Sequence, residues 1–498
     1  MEDFAWLSLI PALVTIVFAL TTKRVALSLF LGIVAGAFTY HHGKLLESAR
    51  GLFNYLLDAF TDPERISIVV FILLIGSLLE IIAKSGGYEA FAKKLEKRLH
   101  NGRKSRLTTW GISMLLFFDD YANVLISGAS MRNINLKNGV SPAMLAYIVD
   151  VVAIMASIMI ISTWAAFEGS VMVDAATTIG REGSLSLFFL ESLPYHFYTF
   201  LAITLALVVA YSGKWFGYKL DNQPIPDTQP QAASPKGKAK YVIVPVLTLI
   251  GFALVALFVS GTWILTQRGE PLTLISILGE APSVEILIIA TLLAILVLIL
   301  LLQKEKALSS RQTAIGMLKG GKGMVDVSLV IFMATGLAAV SSDLETGRYI
   351  SDSLSGYITP QILPAVIFII AMLITVATGF SWSSMAIVMP IAYQMAIMEG
   401  VPDLIPVISA AVISGAVSGE HMIPYSEKCV MTSAACKISP VYHIKTHILQ
   451  TLTVFSAGII SFLLIGHRQP LWLAFLAGLA FILFMHKAFA RKPVMKTE

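Results

Sequence analysis

An all-α polytopic membrane protein is the fold class that three observations predict. The 498 residues are 56% hydrophobic and only 13% charged, against about 25% charged in soluble domains. Apolar runs long enough to cross a hydrocarbon layer of about 30 Å recur along the whole chain. The loops between them differ sharply in Lys and Arg, which marks alternate sides of a bilayer. A water-soluble fold is excluded, and the topology below predicts an inverted repeat: five spans plus a re-entrant hairpin in each half, then one extra C-terminal span.

The first span, Phe4 to Leu20, follows Met-Glu-Asp with no basic start and no small-residue cleavage site, so it reads as a retained span rather than a signal peptide. Spans at 25–40 and 66–83 follow. Loop 84–106 then carries Lys84, Lys93, Lys94, Lys97, Arg98, Arg103, Lys104 and Arg106, which makes that side cytoplasmic, with Lys23-Arg24 inside and the N-terminus outside. Arg132 and Lys137 are expected on the same side, so segment 107–130 begins and ends there and is a re-entrant hairpin. Segment 142–164 is an interrupted helix, 165–195 an external loop poor in Lys and Arg, and 196–212 a span. The stretch 213–240, with Pro224, Pro226, Pro230 and Pro235, has the composition of a cytoplasmic linker.

The second half offers spans at 241–260, 284–302 and 324–341, a hairpin at 361–398 that exits outside at Glu399 and Asp403, an interrupted helix at 403–435, and spans at 447–466 and 470–487. Its basic loop 303–322 and its tail are cytoplasmic. The domains are therefore 1–212, the linker 213–240, 241–466 and a C-terminal span and tail 467–498. An inverted pair of this kind builds its site from hairpins and broken helices near the midplane.

Net charge is +5, but the basic residues lie in particular loops, so topology explains them and no nucleic-acid partner is implied. Cys429 and Cys436 have no metal-type spacing and suggest no disulfide. No cofactor is called for.

Charges inside spans cost roughly 2.5–3.5 kcal/mol each on insertion scales and are functional candidates by default. They gather in four places. Phe117-Phe-Asp-Asp-Tyr-Ala-Asn123 puts Asp119 and Asp120 side by side at the first hairpin tip, where both cannot be buried and ionised without a proton or counter-ion. The alternative is a tip that reaches water, its aspartates capping the turn. Asp150 is a lone carboxylate in Leu145-Ala-Tyr-Ile-Val-Asp150, binding an ion or else bonding nearby unwound backbone. In the second hairpin, Thr378, Ser381 and Ser383 offer neutral oxygens beside the turn-permitting Gly379. The densest site is Ser414 to Lys428, where Gly415, Gly419 and Pro424 would break the helix beside Glu420, His421, Ser426, Glu427 and Lys428. Lys428 either joins this site or pairs with Glu427 at a cytoplasmic helix end.

These four motifs, in this order and over essentially the whole chain, resemble the sodium/proton antiporter family called NhaC, which is similar in architecture to the ion-transporter superfamily. The resemblance implies an elevator-type transporter, usually a homodimer, with a moving transport domain against a scaffold. It implies roles for Asp119, Asp120, Asn123 and Asp150 in the first half and for Thr378, Ser381, Glu420 and His421 in the second; Asp120, Asn123, Asp150 and Thr378 could hold a sodium ion. The chain departs from the family at Val151 to Met155, and again at Met422 to Lys428, where ligating oxygens are replaced and an ammonium is added. An ammonium repels Na⁺ and suits a proton carrier or a partner for a substrate carboxylate.

The reading is a secondary active transporter of a bacterial inner membrane, exchanging sodium or another monovalent cation for protons by alternating access. The alternative is proton- or sodium-coupled transport or exchange of a small organic acid or amino acid. Asp-Asp-x-x-Asn also resembles the diphosphate motif of membrane prenyltransferases, but the second Asp-rich cluster they need is missing, so no enzyme is expected. A channel would use repeated rings of charge, which these non-equivalent halves do not offer.

Overall fold

The structure is a computed structural model that describes residues 4–491 apart from 23, 97–98, 218–236, 347, 350–352 and 354–357. Most of the expected linker and most of the basic tail lie outside the described residues, as do Lys97 and Arg98.

The first half runs through α1 (Ile10–Thr22), α2 (Val25–Tyr40), α3 (Leu45–Thr61), α4 (Pro63–Lys84), α5 (Gly87–Glu96), α6 (Gly102–Leu115), α7 (Asp120–Lys137), α8 (Pro142–Ala153), α9 (Thr163–Thr178), α10 (Leu185–Ser192) and α11 (Phe197–Ser212). The second runs through α12 (Lys240–Arg268), α13 (Leu274–Glu280), α14 (Ser283–Lys304), α15 (Ser310–Gly323), α16 (Val325–Asp343), α17 (Leu363–Thr378), α18 (Ser381–Met398), α19 (Ile405–Glu420), α20 (Glu427–Cys436), α21 (Pro440–Gly466) and α22 (Leu471–Phe489). Among the described residues, seven helices are long and apolar enough to cross a membrane, or nine if each of two bent pairs is one span. The protein is a multi-pass membrane protein.

Helix starts follow ordinary capping chemistry. Asp62 accepts from the backbone of Glu64 and Arg65 ahead of α4 with Pro63 in its first turn, and Ser141-Pro142 and Ser439-Pro440 open α8 and α21 in the same way. Packing repeats between the halves. Helix α1 lies on α2 as α12 lies on α14, and α2 packs on α16 as α14 packs on α4. The half-exposed α3 and α15 cross over, α3 to α16 and α15 to α4. At that second crossing Gly76 and Gly320 face each other so closely that a Cβ on either would strike the other's carbonyl.

Three expectations need correction. Residues 165–195 are not an external loop: α9 and α10 occupy most of them, and their apolar faces are buried. Two of the acidic residues that made the stretch look loop-like, Glu168 and Asp174, sit inside the helix bundle. The first interrupted helix therefore does not end at 164 but runs from Pro142 to Thr178 with a break at 159–162. Loops 84–106 and 303–322 also contain helices, α5 and α15, the latter opened by a capping box of Ser309 and Gln312.

Candidate functional site

Two pairs of consecutive helices, α6 with α7 and α17 with α18, pack against each other across short turns. Helices α6 and α7 run antiparallel about a turn at 116–119: Asn123 Nδ2 donates to the Ser113 carbonyl at 2.6 Å and Asn135 Nδ2 to Thr109 Oγ1 at 2.9 Å. Their tip docks on the break between α8 and α9, where the two arms bend by 50°. There the Thr163 N–H donates to the Phe118 carbonyl at 3.0 Å and its hydroxyl to Asp119 Oδ2 at 3.1 Å. Ser162 caps the new arm by accepting from Ala165 N–H.

In the second half α17 and α18 turn at Gly379, whose φ of +87° is a left-handed conformation that side chains disfavour. This tip docks on the break between α19 and α20, where Ser381 N–H donates to Glu420 Oε1 at 2.8 Å. Ser426 stitches the break, donating to the Glu420 carbonyl at 3.1 Å and accepting from Cys429 N–H to start α20.

Lys428, in the first turn of α20, is buried. Its ammonium lies 3.9 Å from Asp150 Oδ1 and 3.8 Å from Glu420 Oε2, and donates to His421 Nε2 at 2.9 Å. An ammonium has no acceptor, so His421 receives at Nε2 and carries its hydrogen on Nδ1, which faces Tyr198 OH at 2.8 Å. Asp150 is held from two further sides, by Thr432 Oγ1 donating at 3.3 Å and by His443 Nε2 at 3.1 Å. Both ring nitrogens of His447 face carbonyl oxygens, of His443 at 2.7 Å and His421 at 3.2 Å.

The expected residues fall into three groups. Asp150, Glu420, His421 and Lys428 meet in this cluster. Asp120 is buried at the first tip within electrostatic reach of Asp119, Lys428 and Glu420. Asn123, Thr378 and Ser383 turn inward to their own hairpins: Asn123 to Ser113 and Ser127, Ser383 to Thr378 Oγ1 at 3.2 Å and the Phe380 carbonyl at 2.8 Å. Glu427 does not pair with Lys428. It points the other way and accepts from Tyr121 OH at 3.1 Å.

Of Asp120, Asn123, Asp150 and Thr378, no two are joined by a hydrogen bond among the described contacts. Asp150, His443 and His447 do place ligand-type atoms within 4.8 Å of one another. That donor set suits a zinc-like ion, but the Lys428 ammonium beside Asp150 would first have to be displaced.

Sequence reading missed His443, His447, Tyr198 and Thr432. The signal for the histidines was present: their spacing of four puts them on one face of a helix whose start is marked by Ser439-Pro440. Three aromatic side chains complete the second tip, with Trp382 stacked on Phe167 at 4.0 Å and Trp164 edge-on to it at 6.1 Å.

A cavity of about 660 Å³ leads from solvent toward this region, lined among others by Arg24, Asp326, Thr378, Phe380, Tyr425 and Glu427. It is large enough for a small ligand. Phe380 and Glu427 line it, each next in sequence to a buried residue of the site, Ser381 and Lys428.

Two hairpins docked on two broken helices around buried charge define a secondary transporter. Residues 155–467 match the Na⁺/H⁺ antiporter family, and the chain belongs to it. An uncharacterized protein of Haemophilus influenzae is 28% identical over 481 residues, 92% of this chain and 90% of that one. The malate-2H⁺/Na⁺-lactate antiporter of Bacillus subtilis is 26% identical over 151 residues, 28% of this chain and 32% of that one. Among solved structures, Neisseria gonorrhoeae MtrF, presented as illuminating a class of antimetabolite efflux pumps, matches with a TM-score of 0.59 at 17% identity over 85% of this chain and 86% of that one. The Alcanivorax borkumensis YdaH transporter, described as having an unusual topology, matches at 0.52 and 15% identity over 85% and 90%. Both share the fold.

Proposed function

We propose that the chain exchanges a monovalent cation for protons through the cluster around Lys428. The observation that carries this reading is the ammonium held between Asp150 and Glu420 at 3.9 and 3.8 Å, with Asp119 and Asp120 buried nearby. Four buried carboxyl groups face one buried ammonium, so the site has capacity for further positive charge. Lys428 serves as the internal counter-ion of the empty site. An incoming cation competes with it for Asp150 and Glu420, and protons on the same acids compete with both. No bond-making chemistry is assigned to the chain.

The supporting architecture is an inverted repeat with domains at 1–212 and 241–466, in which the hairpins and broken helices move as one body past the remaining spans. We place the N-terminus outside, the linker and C-terminus in the cytoplasm, the protein in a bacterial inner membrane, and two copies in the working unit. On this topology Arg24 and Asp326 put the cavity on the cytoplasmic side.

A second reading, exchange of a small organic acid or amino acid, is favoured by Lys428 itself, which can receive a carboxylate, and by the similarity to the Bacillus antiporter. Purified protein in proteoliposomes, with internal pH followed while Na⁺, Li⁺, K⁺, carboxylates and amino acids are added in turn, separates the two. Proton movement driven by Na⁺ or Li⁺ and lost in Asp150→Asn is the expected result. A response to one organic solute and to no cation would replace the first reading with the second.

A further inference from the structure

Helix α9 carries a carboxyl that the cluster does not use. Glu168 is fully buried, and neither of its carboxyl oxygens has a hydrogen-bond partner among the described residues. The helices packed on α9 are α4, α10, α16 and α18. Helix α18 has no charged residue. On the others the charges are engaged elsewhere: Arg65 with Asp174 and with Glu64, Glu80 with Lys319, Lys84 with the Gln312 carbonyl, Glu191 with Arg181, Asp343 with Tyr55, while Asp326 lines the cavity. None of these groups forms an ion pair or a hydrogen bond with Glu168 among the described residues.

An ionised carboxylate left so, without counter-ion or hydrogen bond, is far costlier to bury than its neutral acid. A sodium ion would need several more oxygens around it, and acids of the other cluster are engaged elsewhere, Asp119 with Thr163 and Asp150 and Glu420 with Lys428. The position of α9 matters as well. Farther along it Asp174 takes Arg65 of α4 at 2.5 Å and Thr335 of α16 at 3.0 Å, so any movement of α9 past α4 and α16 breaks that junction and changes what covers Glu168.

We propose that Glu168 is a second proton-carrying group of the exchange cycle, separate from the Lys428 cluster. It holds a proton while α9 is seated against α4 and α16, gives that proton as H⁺ to water on one side of the membrane when α9 moves away, and takes another from the opposite side as α9 seats again, so that one proton crosses per cycle. The inference rests on the exchange reading above and adds a carrier to it.

Glu168→Gln keeps the shape and removes the titratable group. In proteoliposomes it is expected to keep solute-driven exchange while the number of protons moved per solute falls by about one and the rate loses part of its pH dependence. Glu168→Asp is expected to restore the native ratio. Infrared spectra of the purified protein should show a protonated-acid carbonyl band that is lost in Glu168→Gln. An unchanged proton ratio, or the absence of that band from native protein, overturns the proposal, and the infrared measurement decides even for a variant that does not transport. Failure of Asp150→Asn to affect exchange would instead count against the Lys428 cluster and leave Glu168 standing.

Discussion

The two helix breaks share a skeleton and differ in chemistry. Each is built from a helix that stops, a short irregular stretch, a serine that caps the next helix, and a hairpin tip hydrogen-bonded into the gap. At the second break the first turn of the new helix carries Glu427 and Lys428; at the first it carries Trp164, with Phe167 and Glu168 just beyond. The Lys428 ammonium reaches Asp150 on α8, the first half's own broken helix. In return the first break offers the second an aromatic seat, Phe167 stacked on Trp382 of α18. A common scaffold therefore does not imply a common role. One break holds the charge, and the other holds the hairpin that covers it.

Given that division, removing the charge from the second break has the largest effect. Lys428→Met leaves Asp150 and Glu420 buried without their counter-charge. It should abolish exchange and cost about 3–5 kcal/mol of stability, read from denaturation in detergent. Pairing it with Asp150→Asn should cost less than the sum of the two single changes, because the orphaned charge is removed together with its partner. Strict additivity would break the picture of a charge-holding second break.

An intermediate effect is expected at the first break. Thr163→Val deletes the hydroxyl bond to Asp119 but keeps the backbone bond to Phe118. Loss of a bond to a charged acceptor is worth about 1.5–3 kcal/mol. Exchange should be slowed rather than abolished, with Asp150-dependent coupling intact. Complete loss of exchange in a folded Thr163→Val protein would show that the first break belongs to the ion site after all.

Why the sequence revealed one break better than the other follows from the same contrast. Pro424 announces the second break, and Gly379 its hairpin turn, because backbone freedom is written in residue type; Gly415 and Gly419, expected to break the helix, instead lie within the unbroken α19 and let it pack closely on α17. The first break, Met159 to Ser162, contains no Gly or Pro, so the sequence offers an interrupted helix at 142–164 without marking where it breaks. Glu168 and Asp174 then turned a buried helix into an apparent loop. Hydropathy sees the charge of a side chain, and not the Arg65 and Thr335 that receive Asp174. The acidic half of the site was legible, since Asp119, Asp120, Asp150 and Glu420 are anomalies in apolar runs. His443 and His447 carried a signal in their spacing of four, but the first turns of α21, Pro440-Val-Tyr-His-Ile-Lys445, read as the end of a cytoplasmic loop and hid it. The α3 and α15 helices escaped for a related reason, being half-exposed and too polar to pass as spans.

The smallest effect is expected at the rim, where the halves also differ. After α2, Lys44 pairs with Glu47 three residues on, at 3.2 Å and largely in solvent. After α14, Glu305 gathers Lys238 at 2.7 Å, Lys240, and Tyr241 OH at 2.6 Å, all from the N-terminal end of α12. Hydrogen bonds from Lys238, Lys240 and Tyr241 push the Glu305 carboxyl down to about 2 from its ordinary 4.5. A carboxyl shifted downward by folding stabilises the folded state above its ordinary value, and that contribution is lost as pH falls through the folded value. Native protein should thus resist unfolding better than Glu305→Gln near neutral pH, with the gap closing as pH falls from 4.5 toward 2 and shrinking with added salt, since exposed pairs are screened. Lys44→Gln, which removes only a local helix pair, should show a smaller gap with little pH dependence. Equal behaviour of the two variants would mean that the Glu305 contact, for all its reach across α12 and α14, holds the second half no more firmly than a surface pair holds the first.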